Sequence, residues 1–184
     1  MSLKRISLSI TAAAGLVAFP GLALAACASS GPRARAAAPA PDDLQEGIAL
    51  FQQGKFAAAE AALRRAEGPE ASAYLAAALA KQHKYADAEA PAKAALEANA
   101  VHEVAVAALG ESLVGQKKYE EAEARLSAVV AAKPDLPYAY FWRAQAYNGL
   151  KKADRMVADY ETFLKLAPKA PEAPSVQQLL ASFR

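Results

Sequence analysis

A single Cys, two His and one Trp among 184 residues leave little material for a disulfide framework, an all-protein zinc cage or a Cys/His catalytic pair. Aromatic residues make up only 8%, so no thick aromatic core is available. A dominant charge is missing too: 21 Lys and Arg stand against 19 Asp and Glu. What is abundant is Ala, with 51 copies, about half of the hydrophobic fraction. Alanine buries little area but is the best helix former, which favours closely packed helices over a β core. The length allows one ordinary domain with an appendage.

The appendage is N-terminal. Lys4 and Arg5 precede an uncharged run from Ile6 to Ala26, the pattern of a signal peptide over residues 1–26. By length alone the run could span a bilayer, but Pro20 and Gly21 break it, and it ends Leu24-Ala25-Ala26-Cys27. That ending resembles the lipobox of bacterial lipoproteins (residues 24–27). The resemblance implies that Cys27 is lipidated and becomes the mature N-terminus, and that Ala28 after it sorts the protein to the outer membrane, facing the periplasm. The alternatives are an ordinary secretory signal, giving a freely secreted periplasmic protein, and an uncleaved anchor. One acyl chain anchors marginally and several anchor stably. Without residues 1–26, 19 basic residues balance 19 acidic ones. No basic stripe remains to neutralise phosphates, which argues against nucleic-acid binding.

After Cys27, residues 28–41 contain three Pro and no large apolar side chain. Such a stretch cannot bury enough area to order itself and is expected to act as a tether of up to about 45 Å.

From residue 42 the pattern is helical and repeats. Lys-Lys-Tyr119-Glu-Glu-Ala122 lies 34 residues after His83-Lys-Tyr85-Ala-Asp-Ala88, as Pro168 does after Pro134. Gly54-Lys-Phe56-Ala-Ala-Ala59 aligns at the shorter offset of 29. Each unit reads as helix, tight turn, helix and stop. The units resemble the tetratricopeptide repeat over residues 42–168. In the third unit Val106, Leu109, Gly110, Leu113, Tyr119, Ala122, Leu126, Val129 and Pro134 match the family's ladder. The resemblance implies an all-α solenoid of four helix pairs, about 42–68, 69–102, 103–136 and 137–168. Small residues in each first helix (Gly47, Ala76, Gly110, Ala144) are expected to admit the second helix closely. Residues 174–184, with Val176, Leu179, Leu180 and Phe183 at helical spacing, are expected to form a capping helix over the last unit.

Three departures from the ladder carry expectations. Ala153 and Met156 replace the turn aromatic and the small Ala of the fourth unit. Pro91 predicts a kink or a late helix start. Gly68-Pro69 predicts an abrupt turn closing a shortened first unit.

Catalytic patterns fail residue by residue. His102-Glu103 begins like a zinc-protease motif, but Val106 stands where the second His belongs. Ser112 lacks the final Gly of a nucleophile elbow, since Val114 is there. The chain is therefore expected not to be an enzyme and to need no cofactor or metal.

What remains is binding. Family ligands lie in a groove lined by the first helices. Carried over by position, that groove presents Ile48, Phe51, Gln52, Ala77, Lys81, Glu111 and Val114, then Tyr138, Phe141, Trp142, Gln145 and Asn148. The aromatic cluster of the fourth unit is either a partner patch or packing beneath the cap. Chaperone-clamping relatives use Lys, Asn and Arg where this chain has Leu44, Ile48, Ala77 and Ala108, so recognition through shape and apolar contact is expected. The resulting expectation is an envelope-tethered scaffold whose groove takes an envelope protein or peptide, with no small-molecule substrate; the alternative is a permanent structural subunit of an outer-membrane, secretion or pilus complex.

Overall fold

The structure is a computed structural model and describes residues 42–183. The signal and lipobox assigned to residues 1–27, the tether and the final Arg184 lie outside the described residues. Among the described residues nine helices and no strands occur. They are α1 (Asp42–Gln52), α2 (Phe56–Leu63), α3 (Pro69–Lys81), α4 (Tyr85–Ala98), α5 (Glu103–Gly115), α6 (Tyr119–Ala132), α7 (Pro137–Gly149), α8 (Ala153–Leu166) and α9 (Ala173–Ala181). None is long and apolar enough to cross a membrane.

The helices pair as α1/α2, α3/α4, α5/α6 and α7/α8, and the first helices also pack in series, α1 on α3, α3 on α5 and α5 on α7. The expected solenoid of four units is therefore present. Its core is built of Ala with single large residues set among them: Leu63, Leu79, Leu113 and Leu126 are almost fully buried. Each methyl group contributes little, but small side chains let helix axes approach within reach of many backbone atoms.

The turn inside each unit repeats. Gly54, His83, Lys117 and Lys151 adopt φ between 61° and 74°, and the amide that follows each donates five residues back, as in Lys118 N to Leu113 O at 2.9 Å. This six-to-one closure satisfies carbonyls that the helix end would otherwise orphan. The shortened first unit ends where expected: α2 has 8 residues against 14 in α4, α6 and α8, Gly68 turns at φ 103°, and Pro69 opens α3.

Two expectations need correction. The α4 helix starts at Tyr85, in line with Tyr119 of α6, and continues through Pro91 to Ala98, so there is no late start. Asp87, whose carbonyl loses its donor to the proline ring, is exposed and open to water. The second correction concerns Gly110. A Cβ there would lie 2.5 Å from Cβ of Trp142, so this glycine admits the first helix of the next unit rather than its own second helix. Gly47 behaves as expected, facing Leu63 of α2.

Two further glycines work between units. The ring of Tyr85 sits over Gly115, and that of Tyr119 over Gly149, each with ring carbons about 2.6 Å from where a Cβ would be. Both spacings are 30 residues, so the turn aromatic of one unit is seated on the end of the next unit's first helix. A polar ladder follows the same step. Lys84 donates to Glu60 (2.8 Å), Lys118 to Glu89 (2.7 Å) and Lys152 to Glu123 (2.6 Å), while Gln82 and Gln116 bridge to the same Glu60 and Glu89 and to the carbonyls of Phe56 and Tyr85. The hydrogen bond from Lys84 holds the Glu60 carboxyl down to about 2, and that from Lys118, helped by Lys93, does the same for Glu89.

At the C-terminal end, α9 begins at Ala173 and packs on α8. Val176 and Leu180 are buried against Tyr140, Phe141, Tyr147, Met156, Tyr160 and Phe163. Met156 fills the space left by Ala144, the exchange expected from the ladder. Leu179 and Phe183, assigned to the same apolar face, are instead exposed, because the short helix turns them away from the cluster.

Candidate ligand groove

The face built by the first helices carries a cleft of about 290 Å³ lined by residues of α1, α3, α5 and α7 and by Glu172. Phe51, Ala77, Val104, Ala107, Ala108 and Trp142 supply its apolar surface. The helical period explains the assembly: residues 104, 107, 108 and 111 of α5 fall on one stripe, and 138 and 142 of α7 continue it 34 residues later. Small residues keep the middle open, and the two rings stand at its sides.

The groove residues carried over from the repeat pattern divide into two sets. Phe51, Ala77, Lys81, Glu111, Tyr138 and Trp142 meet in the cleft. Gln52 and Asn148 are exposed and do not line it, nor do Ile48 and Val114. Phe141 and Gln145 line a different hollow, against Pro171, Ser175, Val176 and Leu179. Phe141 is 7% exposed, with its ring 5.1 Å from Phe163 and 6.0 Å from Tyr160. The fourth-unit aromatics are thus not one patch. Phe141 serves the core beneath α9, while Tyr138 and Trp142 reach the cleft, and Trp142 remains partly exposed. The ring of Trp142 meets Phe141 edge-on at 5.0 Å, which joins groove wall to core.

Charge in the cleft is uneven. Lys81 donates to Glu111 across the α3/α5 junction at 2.8 Å, so these two neutralise one another. Glu172 accepts from the Tyr138 hydroxyl at 3.0 Å. Burial, then this hydrogen bond, and then the negative charges of Glu172 and Glu103, push the Tyr138 phenol up to about 12. Val104, Ala107, Glu103 and Glu172 do not figure among the groove positions carried over from the repeat pattern. For Val104 and Ala107 the stripe itself was signal enough, since they lie three and four residues from positions already assigned. Glu172 belongs to the connection before α9, and no repeat pattern reaches it.

Behind the groove, Arg143 of α7 holds Asp159 of α8 with two bonds of 2.7 and 2.8 Å. Its guanidinium also reaches Ser127 at 3.3 Å and lies over the rings of Tyr140 and Tyr147 at 5.5 and 5.8 Å. The paired carboxylate raises the Arg143 pKa further. A fork of this kind locks the angle between the last two helices of the repeat array. The groups weighed for chemistry are occupied structurally. The Ser112 hydroxyl is fully buried and donates to the Ala108 carbonyl at 2.7 Å, and His102 caps α5 through the Ala105 amide. Among the described residues no group of His, Cys, Asp and Glu converges as metal ligands.

A tetratricopeptide-repeat family model matches residues 44–102 and 107–171. Curated protein sequences give no significant match. Among solved structures, TTC0263, a thermophilic TPR protein of Thermus thermophilus, superposes with a TM-score of 0.65 at 21% identity, covering 77% of this chain and 79% of that one. MamA from Desulfovibrio magneticus RS-1 gives 0.59 at 24%, covering 78% and 84%. MamA of MSR-1 gives 0.58 at 19%, covering 77% and 82%. At these identities the likeness concerns the fold.

Proposed function

Because the chain belongs to the tetratricopeptide-repeat family, we propose that it is a non-catalytic scaffold, lipid-anchored through Cys27 to the bacterial envelope, which holds a segment of an envelope protein in the groove of its first helices. The observation that carries the binding part is the cleft itself: a concave apolar surface walled by Phe51 and a partly exposed Trp142, kept open by Ala77, Ala107 and Ala108. Rigid aromatic walls give large contact area at low entropic cost. An extended or helical segment suits a slot of this form. The anchoring part is supported by the sequence alone, through Lys4 and Arg5, the uncharged run and Leu24-Ala25-Ala26-Cys27. Outer-membrane sorting with the domain in the periplasm extends that reading through Ala28.

Two variants test the two parts separately. Ala107→Arg places a long cation in the middle of the cleft on a half-buried helical position, and should remove the partners recovered by crosslinking in cells while helicity is retained. Unchanged crosslinks would place the binding surface elsewhere. Cys27→Ala should release the protein from the membrane fraction, and continued membrane fractionation would end the lipoprotein reading.

A further inference from the structure

Resting on the groove reading, we propose that the segment bound in this cleft is cationic: a peptide stretch carrying a Lys or Arg beside a large aliphatic or aromatic side chain, with the apolar group on Trp142 and the cation between Glu103 and Glu172. Four charged side chains line the cleft, Lys81, Glu103, Glu111 and Glu172. Lys81 and Glu111 cancel each other at 2.8 Å. Glu172 has a hydroxyl partner in Tyr138 and no cation, and Glu103 has no ion-pair partner among the described residues. Both carboxylates lie near enough to the Tyr138 phenol to act on it. The surplus of two negative charges is therefore concentrated at one edge of an otherwise apolar slot.

The mature sequence is formally neutral, so this local excess is not a reflection of overall acidity. Glu103 stabilises the first turn of α5 against the helix dipole, but Glu172 belongs to a different segment and its position at the cleft is set by the packing of α9. Low-dielectric walls on either side concentrate the field of the two carboxylates, so a matching cation gains selectivity and association rate there. An acidic segment would meet two unscreened like charges, which discriminates against it as strongly as the apolar floor discriminates against a fully polar one.

The test is selection of a random-peptide display library on the full chain, followed by binding of the enriched peptides to variants. Enriched peptides should carry Lys or Arg within one helical turn of an aromatic or aliphatic residue. Their binding should be lost with Ala107→Arg and weakened about tenfold by Glu103→Gln with Glu172→Gln, with a loss of affinity as salt rises. Gln at 172 keeps an acceptor for Tyr138. Should that double variant melt early, Glu103→Gln alone, at an exposed position, must still weaken binding. Enriched peptides that are neutral or acidic but blocked by Ala107→Arg would overturn the cationic preference and leave the groove reading standing. Peptides indifferent to Ala107→Arg, or no enrichment at all, would overturn both.

Discussion

At positions 54, 83, 117 and 151 the chain makes the same left-handed step, and only the first is glycine. A side chain in that conformation brings its Cβ against the following carbonyl, at about 1 kcal/mol or more. His83, Lys117 and Lys151 are held there because each turn closes two hydrogen bonds back into the first helix. Lys117→Gly should therefore stabilise the protein by about 0.5–1 kcal/mol, read as a higher urea midpoint at unchanged slope, since the side chain is exposed and its amine makes no ion pair among the described residues. A midpoint that fell would mean the lysine contributes more than its backbone costs. The sequence signalled a tight turn here through the neighbouring aromatic at 85 and 119, but not its handedness. That follows only when the carbonyls of residues 79 and 113 are seen to need donors.

At the scale of helices, the repeat pattern made the four pairs, the cap and the shortened first unit legible from the residues alone. Each is set by local spacing that a helix enforces every 3.6 residues. What it left obscure lies between units. Gly110 looked like an intra-unit spacer and is instead the seat of Trp142, while Gly115 and Gly149 looked like ordinary helix ends and carry the rings of Tyr85 and Tyr119. Phe141 and Trp142 are adjacent in sequence with the same composition signal, yet a rotation of about 100° sends one beneath α9 and the other to the cleft. Only the partner surface decides which is core. Gly115→Ala should therefore cost about 1–3 kcal/mol despite the better helix propensity of Ala, because the atoms it meets include Cγ near the root of the Tyr85 side chain, which cannot swing away cheaply. Thermal melts of Gly115→Ala alone and with Tyr85→Ala would show the alanine tolerated in the second background; an equal loss in both would remove the ring as the cause.

For the whole molecule, the inter-unit ladder ties stability to acid. Glu60 and Glu89 have folded-state pKa values of about 2, below the ordinary value of 4.5, so their contribution is complete above that ordinary value and is lost as pH falls toward 2. Both carboxylates are mostly shielded while Lys84 and Lys118 are more than 40% exposed, so solvent screening limits the gain to roughly 1–2 kcal/mol for each. Urea titrations should show stability falling between about pH 5 and pH 2, and the fall should be shallower when Lys84 and Lys118 are both changed to Met. Equal slopes would exclude the ladder as its source.

The same ladder has a consequence for how such a chain can change in length. Every inter-unit tie reaches only the adjoining unit, ring to glycine and amine to carboxylate, at offsets that repeat down the array. A duplicated stretch equal to residues 103–136 would bring its own donor, acceptor, ring and seat, and would find complementary faces above and below it. The molecule is in that sense a short segment of a polymer whose joints are all alike, terminated at one end by α9. Its reach along a partner is set by how many times the joint has been copied, with no redesign of the joint itself.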